Sequence, residues 1–82
     1  MTILERVKST EKIVRMIETN NLIAFETDRK AKKDEIAKEV ESLFDVKVKS
    51  VRTITRKNKK IAYVRLTKDF VAADVAAKLG VL

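Results

Sequence analysis

Seven basic side chains crowd one stretch of this chain. Lys47, Lys49, Arg52, Arg56, Lys57, Lys59 and Lys60 fall within residues 47–60, and no acidic residue lies among them. Such a cluster is suited to one kind of chemistry, the neutralisation of phosphate. Lysine supplies a point charge and arginine a planar fork that pairs with phosphate bidentately. Uncompensated positive charge repels itself and costs the fold stability unless a polyanion lies against it. Nucleic acid is the usual polyanion. A solvated face that merely keeps the chain soluble is the plainer reading. Contiguity and the lack of acid favour nucleic acid over it.

The rest of the charge supports that placement. Residues 1–41 hold nine basic and nine acidic side chains and cancel; residues 42–82 hold ten and three, which gives the whole net charge of +7. Lys30, Lys32 and Lys33 form a second, smaller group ahead of a helical stretch. Lysines at a helix N-terminus are electrostatically misplaced unless a phosphate is shared between them and the backbone. Tyr63 and Arg65 stand on the face of a strand opposite Ala62, Val64 and Leu66, where a tyrosine can stack on an unpaired base. Packing against Ile61 or across the strand pair is the competing use of Tyr63. Thr53 and Asn58 complete the candidate RNA-binding set. Lys8 and Lys12 have Glu5 and Glu11 as near neighbours and read as self-compensated.

Enzyme chemistry has nothing to stand on. The chain has no histidine, no cysteine and a single glycine, Gly80. That removes the commonest general base, thiolate ligation and any glycine-rich phosphate loop. Asp34, Glu35, Glu39 and Glu41 are spread around a helix by its 3.6-residue period and do not converge. No catalytic residue, metal or cofactor is expected.

These side chains must be positioned by a small fold. Eighty-two residues allow one domain, 1–82, which buries only about 60% of its unfolded surface. Hydrophobic residues are 45% and charged residues 38%, too apolar for a disordered tail and too charged for a membrane span. The first residues lack the apolar core of a signal peptide. A cytoplasmic protein without membrane insertion is expected. Residues 9–19 predict a short helix capped by Ser9 or Thr10, with Ile13, Met16 and Ile17 as its stripe and Asn20-Asn21 as its stop. Residues 22–27 predict a strand. Residues 32–44 predict the strongest helix, on Ile36, Val40, Leu43 and Phe44; Lys32 is a poor cap, so its start is expected to fray. Residues 46–56 predict a long strand rich in β-branched residues. Its alternation slips between Val48 and Val51, which predicts a bulge near Ser50. Lys57-Asn58-Lys59 turns the chain, and 60–67 returns as the second strand of a hairpin with a basic tip. Residues 69–79 predict a last helix, capped by Asp69 or Thr67 and stopped by Gly80. The sum is an α+β fold.

The order of residues then resembles a known family. Ser9-Thr10-Glu11-Lys12, Phe25-Glu26-Thr27-Asp28, Ala31-Lys32-Lys33, the run from Val40 to Thr53, and Ala62-Tyr63-Val64-Arg65-Leu66 are similar to the universal large-subunit ribosomal protein family number twenty-three. The resemblance covers essentially the whole chain. The short turn at 56–60 and the ending from Asp69 to Gly80 resemble the archaeal and eukaryotic branch. The lack of a basic N-terminal extension points to the archaeal form. Lys32 departs from the small polar cap that the family often has. The resemblance implies an antiparallel four-stranded sheet with three helices packed on it (β-α-β-α-β-β-α), the extra strand lying around Leu4–Val7. It implies binding of large-subunit ribosomal RNA beside the polypeptide exit tunnel, next to neighbouring ribosomal proteins such as number twenty-nine. It also implies a docking surface for nascent-chain factors such as the signal recognition particle, and it places Glu11 near that surface. A stand-alone adaptor that grips an acidic protein with its basic hairpin is the alternative.

Overall fold

A computed structural model of the chain describes residues 4–7 and 10–80. Among them the elements run β1 (Leu4–Val7), α1 (Glu11–Asn20), β2 (Leu22–Thr27), α2 (Lys33–Phe44), β3 (Val48–Arg56), β4 (Lys59–Leu66) and α3 (Ala72–Lys78). The strands lie in the order β1-β2-β4-β3, every neighbouring pair antiparallel. The α+β class is as expected, but the expectation of a four-stranded sheet needs correcting. The body of the sheet is three strands, β2-β4-β3, paired along nearly their whole length. Leu4–Val7 is a four-residue segment on the outer side of β2, and its register breaks between Leu4 and Arg6. So short and irregular an edge adds little pairing to the sheet.

Apolar residues fix which strand is central. Every residue of β2 is buried, as a strand covered on both faces must be. Its Phe25 side meets α2, where the Phe25 and Phe44 rings stack with centroids 6.0 Å apart. Ile36 and Val40 of α2 and Ala62, Val64 and Leu66 of β4 complete this side. Leu22 and Ala24 point the other way, toward α1, which buries Ile13 and Ile17.

The hairpin shows why the alternation slips. Val48 pairs with Leu66 and Ser50 with Arg65, so Lys49 is the extra residue of a bulge. The bulge returns Val51 to the Val64 side. The turn is tighter than expected: Arg56 pairs with Lys59, leaving Lys57 and Asn58 as a two-residue loop with φ of 50° and 65°. Two positive φ angles in such a loop match the twist of the flanking strands.

The ends of α1 are as expected, whereas the starts of α2 and α3 differ. Thr10 Oγ1 accepts from the Ile13 N–H at 3.3 Å and caps α1; Ser9 lies outside the described residues. Lys32 does not leave α2 to fray, because the Glu35 carboxylate reaches back and accepts from the Lys32 N–H at 3.0 Å. The last helix starts at Ala72 rather than 69, and neither Thr67 nor Asp69 caps it. Asn21 does, from the far end of α1: its Oδ1 accepts from the Ala72 N–H at 2.6 Å. Its Nδ2 donates to the carbonyl of Phe70 at 2.8 Å and also to Thr67 and Leu66. Asn21 can aim both ends of its amide because it sits in the left-handed region, φ 54°, where it ends α1.

Candidate nucleic-acid interface

The register of the hairpin sorts the basic residues. Arg52 pairs with Tyr63, Ser50 with Arg65, Ile54 with Ile61 and Arg56 with Lys59. Partners in a sheet share a face, so Arg52, Arg56, Lys59, Tyr63 and Arg65 stand together on the side away from α2. Arg52, Arg56 and Arg65 are exposed, and Tyr63 is half-buried. Lys57 and Asn58 stand at the exposed tip, where the Asn58 Oδ1 accepts from Arg29 Nη1 at 3.2 Å.

Other members of the expected set are turned elsewhere. Thr53 is half-buried and pairs with Ala62, on the α2 side, although it also borders the groove between α1 and the hairpin. Lys60 shares that side, and its ammonium donates to the Ala31 carbonyl at 2.8 Å; it braces the entry to α2. Lys59 pairs with Glu26 at 3.1 Å, and the Glu26 side chain is only 6% exposed. Lys30, Lys32 and Lys33 are exposed at the start of α2, and of the three Lys33 borders the same groove. Lys47 and Lys49 are exposed at the other end of β3, about 25 Å from the tip at roughly 3.3 Å per residue. One contiguous run of sequence therefore supplies several separate patches.

The cationic face borders an open groove of about 890 Å³. Lys12 and Met16 of α1 form one wall; Arg52, Ile54, Tyr63 and Arg65 of the hairpin form the other. No carboxylate lines it among the described residues. Sequence reading missed Lys12 here by assigning it to Glu11. The i, i+4 spacing of Glu11 and Arg15 was the available signal: those two pair at 3.6 Å, and Lys12 lines the groove. Glu11 itself is exposed in the first turn of α1. Among the described residues no cluster of metal-ligating side chains occurs and no helix is long and apolar enough to cross a membrane.

Fold and face together define a small α+β module whose hairpin presents a basic face. Comparison with known proteins gives the class its family. The profile of Ribosomal protein L23 matches residues 2–76, so the chain belongs to that family. It is 49% identical over 80 residues to the large ribosomal subunit protein uL23 of Pyrobaculum aerophilum, covering 96% of this chain and 99% of that one. It is 45% identical over 73 residues to the protein of that description from Methanothermobacter thermautotrophicus, covering 88% and 85%. Both relatives are archaeal, as the resemblance implied.

Proposed function

We propose that this chain binds large-subunit ribosomal RNA chiefly through the outer face and tip of its hairpin. As a member of the ribosomal protein L23 family it is a structural constituent of the large, cytoplasmic ribosomal subunit and not an enzyme. The observation that carries the reading is the convergence of Arg52, Arg56 and Arg65 on one exposed face beside Lys57. Lys30, Lys32, Lys47 and Lys49 make outlying phosphate contacts, Lys33 makes one at the edge of the groove, and Asn58 holds Arg29 at the tip. The domain spans 1–82. It sits beside the exit tunnel next to protein number twenty-nine, and Glu11 meets a basic residue of the signal recognition particle or a comparable factor. Support for Glu11 is its exposure and its distance in sequence from the hairpin; a carboxylate there steers a protein and repels phosphate.

Binding of purified large-subunit RNA by R52Q/R56Q/K57Q tests the main reading. The expected result is weaker binding with unchanged melting temperature, because these side chains are exposed and surface changes usually cost within about 0.5 kcal/mol. Lys59 and Lys60 are kept out of the variant, since their contacts with Glu26 and Ala31 are part of the fold. Undiminished binding overturns the hairpin as the RNA-binding element. For docking, E11K is expected to enter ribosomes normally and to recruit the factor poorly at low and moderate salt. Normal recruitment would remove Glu11 from the docking surface.

A further inference from the structure

We propose that the groove between α1 and the hairpin holds an unpaired nucleotide of the bound RNA, its base stacked on Tyr63 and its flanking phosphates on the arginines. The inference deepens the RNA-binding reading and rests on it: that reading requires cationic contact, whereas the groove requires an unpaired strand.

The wall of the groove is built for a flat apolar group between charges. Tyr63 is half-buried, so one part of the ring packs on the core while the rest faces the groove. Its neighbour on β2 is Ala24, a residue too small to cover it. Its neighbour on β3 is Arg52, and Arg65 follows two residues along its own strand. Ile54 is 44% exposed on this wall, although a hydrophobic side chain gains by burial. Met16 faces it from α1 and supplies a soft, adaptable surface. Lys12 adds charge to that wall.

Two properties select the occupant. The rim is cationic and carries no acid among the described residues, which selects a polyanion. The floor is aromatic and aliphatic, which selects a ligand with a planar apolar part. An RNA duplex has the charge but keeps its base faces within the stack; unpaired RNA offers both charge and base faces. An acidic peptide has charge without the planar group.

The chain carries its own reporter. It has one tyrosine and no tryptophan, so intrinsic fluorescence comes from Tyr63 alone. The intact protein is titrated with an unpaired ten-nucleotide RNA, with an RNA duplex of equal charge, and with an oligoglutamate of equal charge. The expected result is strong quenching of Tyr63 by the unpaired RNA and little by the other two. Y63L, checked for folding by circular dichroism, is expected to lose roughly five- to a hundredfold in affinity for the unpaired RNA, the range that base stacking supports. Its affinity for the duplex should not change. Equal binding of both RNAs without quenching, or equal competition by oligoglutamate, overturns the groove as a base site. In that event, weakened binding of both RNAs by R52Q/R56Q/K57Q would still uphold the hairpin as the RNA-binding element. Failure of large-subunit RNA itself to bind overturns both.

Discussion

Asn21 does two jobs with one backbone conformation. Its φ of 54° ends α1, and its amide then reaches Phe70 and Ala72, about fifty positions along the chain. Alanine at this position loses the amide's bonds and, unlike asparagine, has no polar side chain to offset the left-handed conformation. The expected cost is roughly 2–4 kcal/mol, from one or two part-buried hydrogen bonds plus about 1 kcal/mol of backbone strain. Glycine relieves the strain and still loses the bonds, so Asn21→Gly is expected to fall between wild type and Asn21→Ala in urea melts. If Asn21→Gly matches wild type, the amide contributes nothing and only the turn matters. The two roles differ in legibility. The helix stop could be read from Asn20-Asn21 because capping is local. The grip on α3 could not, since nothing in residues 19–23 says which carbonyls fold over them. The same distance misplaced the start of α3: Asp69 is a good cap by type, but Phe70 N–H bonds to the Thr67 carbonyl in a turn, and the cap arrives from Asn21.

At the scale of elements the hairpin puts charge before comfort. Lys57 occupies a φ of 50°, where Asn, Asp or Gly is at home and lysine is not. Replacing Lys57-Asn58 by Asn-Gly keeps the two-residue loop and relieves position 57, at the loss of the exposed bond from Arg29 to Asn58. We expect K57N/N58G to raise stability by about 1 kcal/mol, or roughly 4–8 °C in Tm for a chain of this size, while weakening RNA binding through the lost tip charge. Unchanged melting would show that the turn stores no strain. Much of the hairpin was legible in advance. The slip between Val48 and Val51 located the bulge, because period-two burial leaves no other way to keep both valines inside. The face shared by Arg52, Tyr63 and Arg65 was only half legible. Alternation gave Tyr63 and Arg65, but Arg52 joins them through the register that the bulge sets. Leu4–Val7 came from resemblance alone, since four residues carry too little pattern to mark a strand.

For the whole molecule, charge is the governing quantity. The first half of the sequence is neutral and the second carries +7, yet folding disperses that excess over several surfaces. Arg52, Arg56, Lys57 and Arg65 together are expected to contribute roughly −2.8 to −3.6 to the salt slope for RNA binding on a log–log plot, at about −0.7 to −0.9 per neutralised phosphate. Removing Arg52 and Arg56 should flatten it by about 1.5–2. Titration of large-subunit RNA across a salt series measures both, and a flat response in wild type would defeat the electrostatic account. The separation of Lys60 from this group shows what a one-dimensional charge count misses. It stands beside Lys59 in sequence, but the strand's alternation sends it to the opposite face, where a backbone carbonyl holds it.

The strand order has a consequence for how the chain comes into being. β2 pairs with β4, and β3 pairs with β4, but β2 and β3 never touch across the ladder. The strand made last therefore joins the two made earlier. A chain stopped at residue 58 holds α1, β2, α2 and β3 and still lacks the piece between its strands. Asn21, moreover, has no partner for its amide until residues 66–72 are made. Synthesis thus delivers the keystone only after β2, α2 and β3, and stable structure is expected to appear in one step once β4 is made. Truncations at 58, 68 and 82 compared by amide exchange check this: the first should exchange freely, the second should protect β2, and the full chain should add α3. Protected β2 amides in the 58-residue chain would mean that an early intermediate holds the strand without its partner. β4, which joins the earlier strands, then decides when the newborn sheet can close.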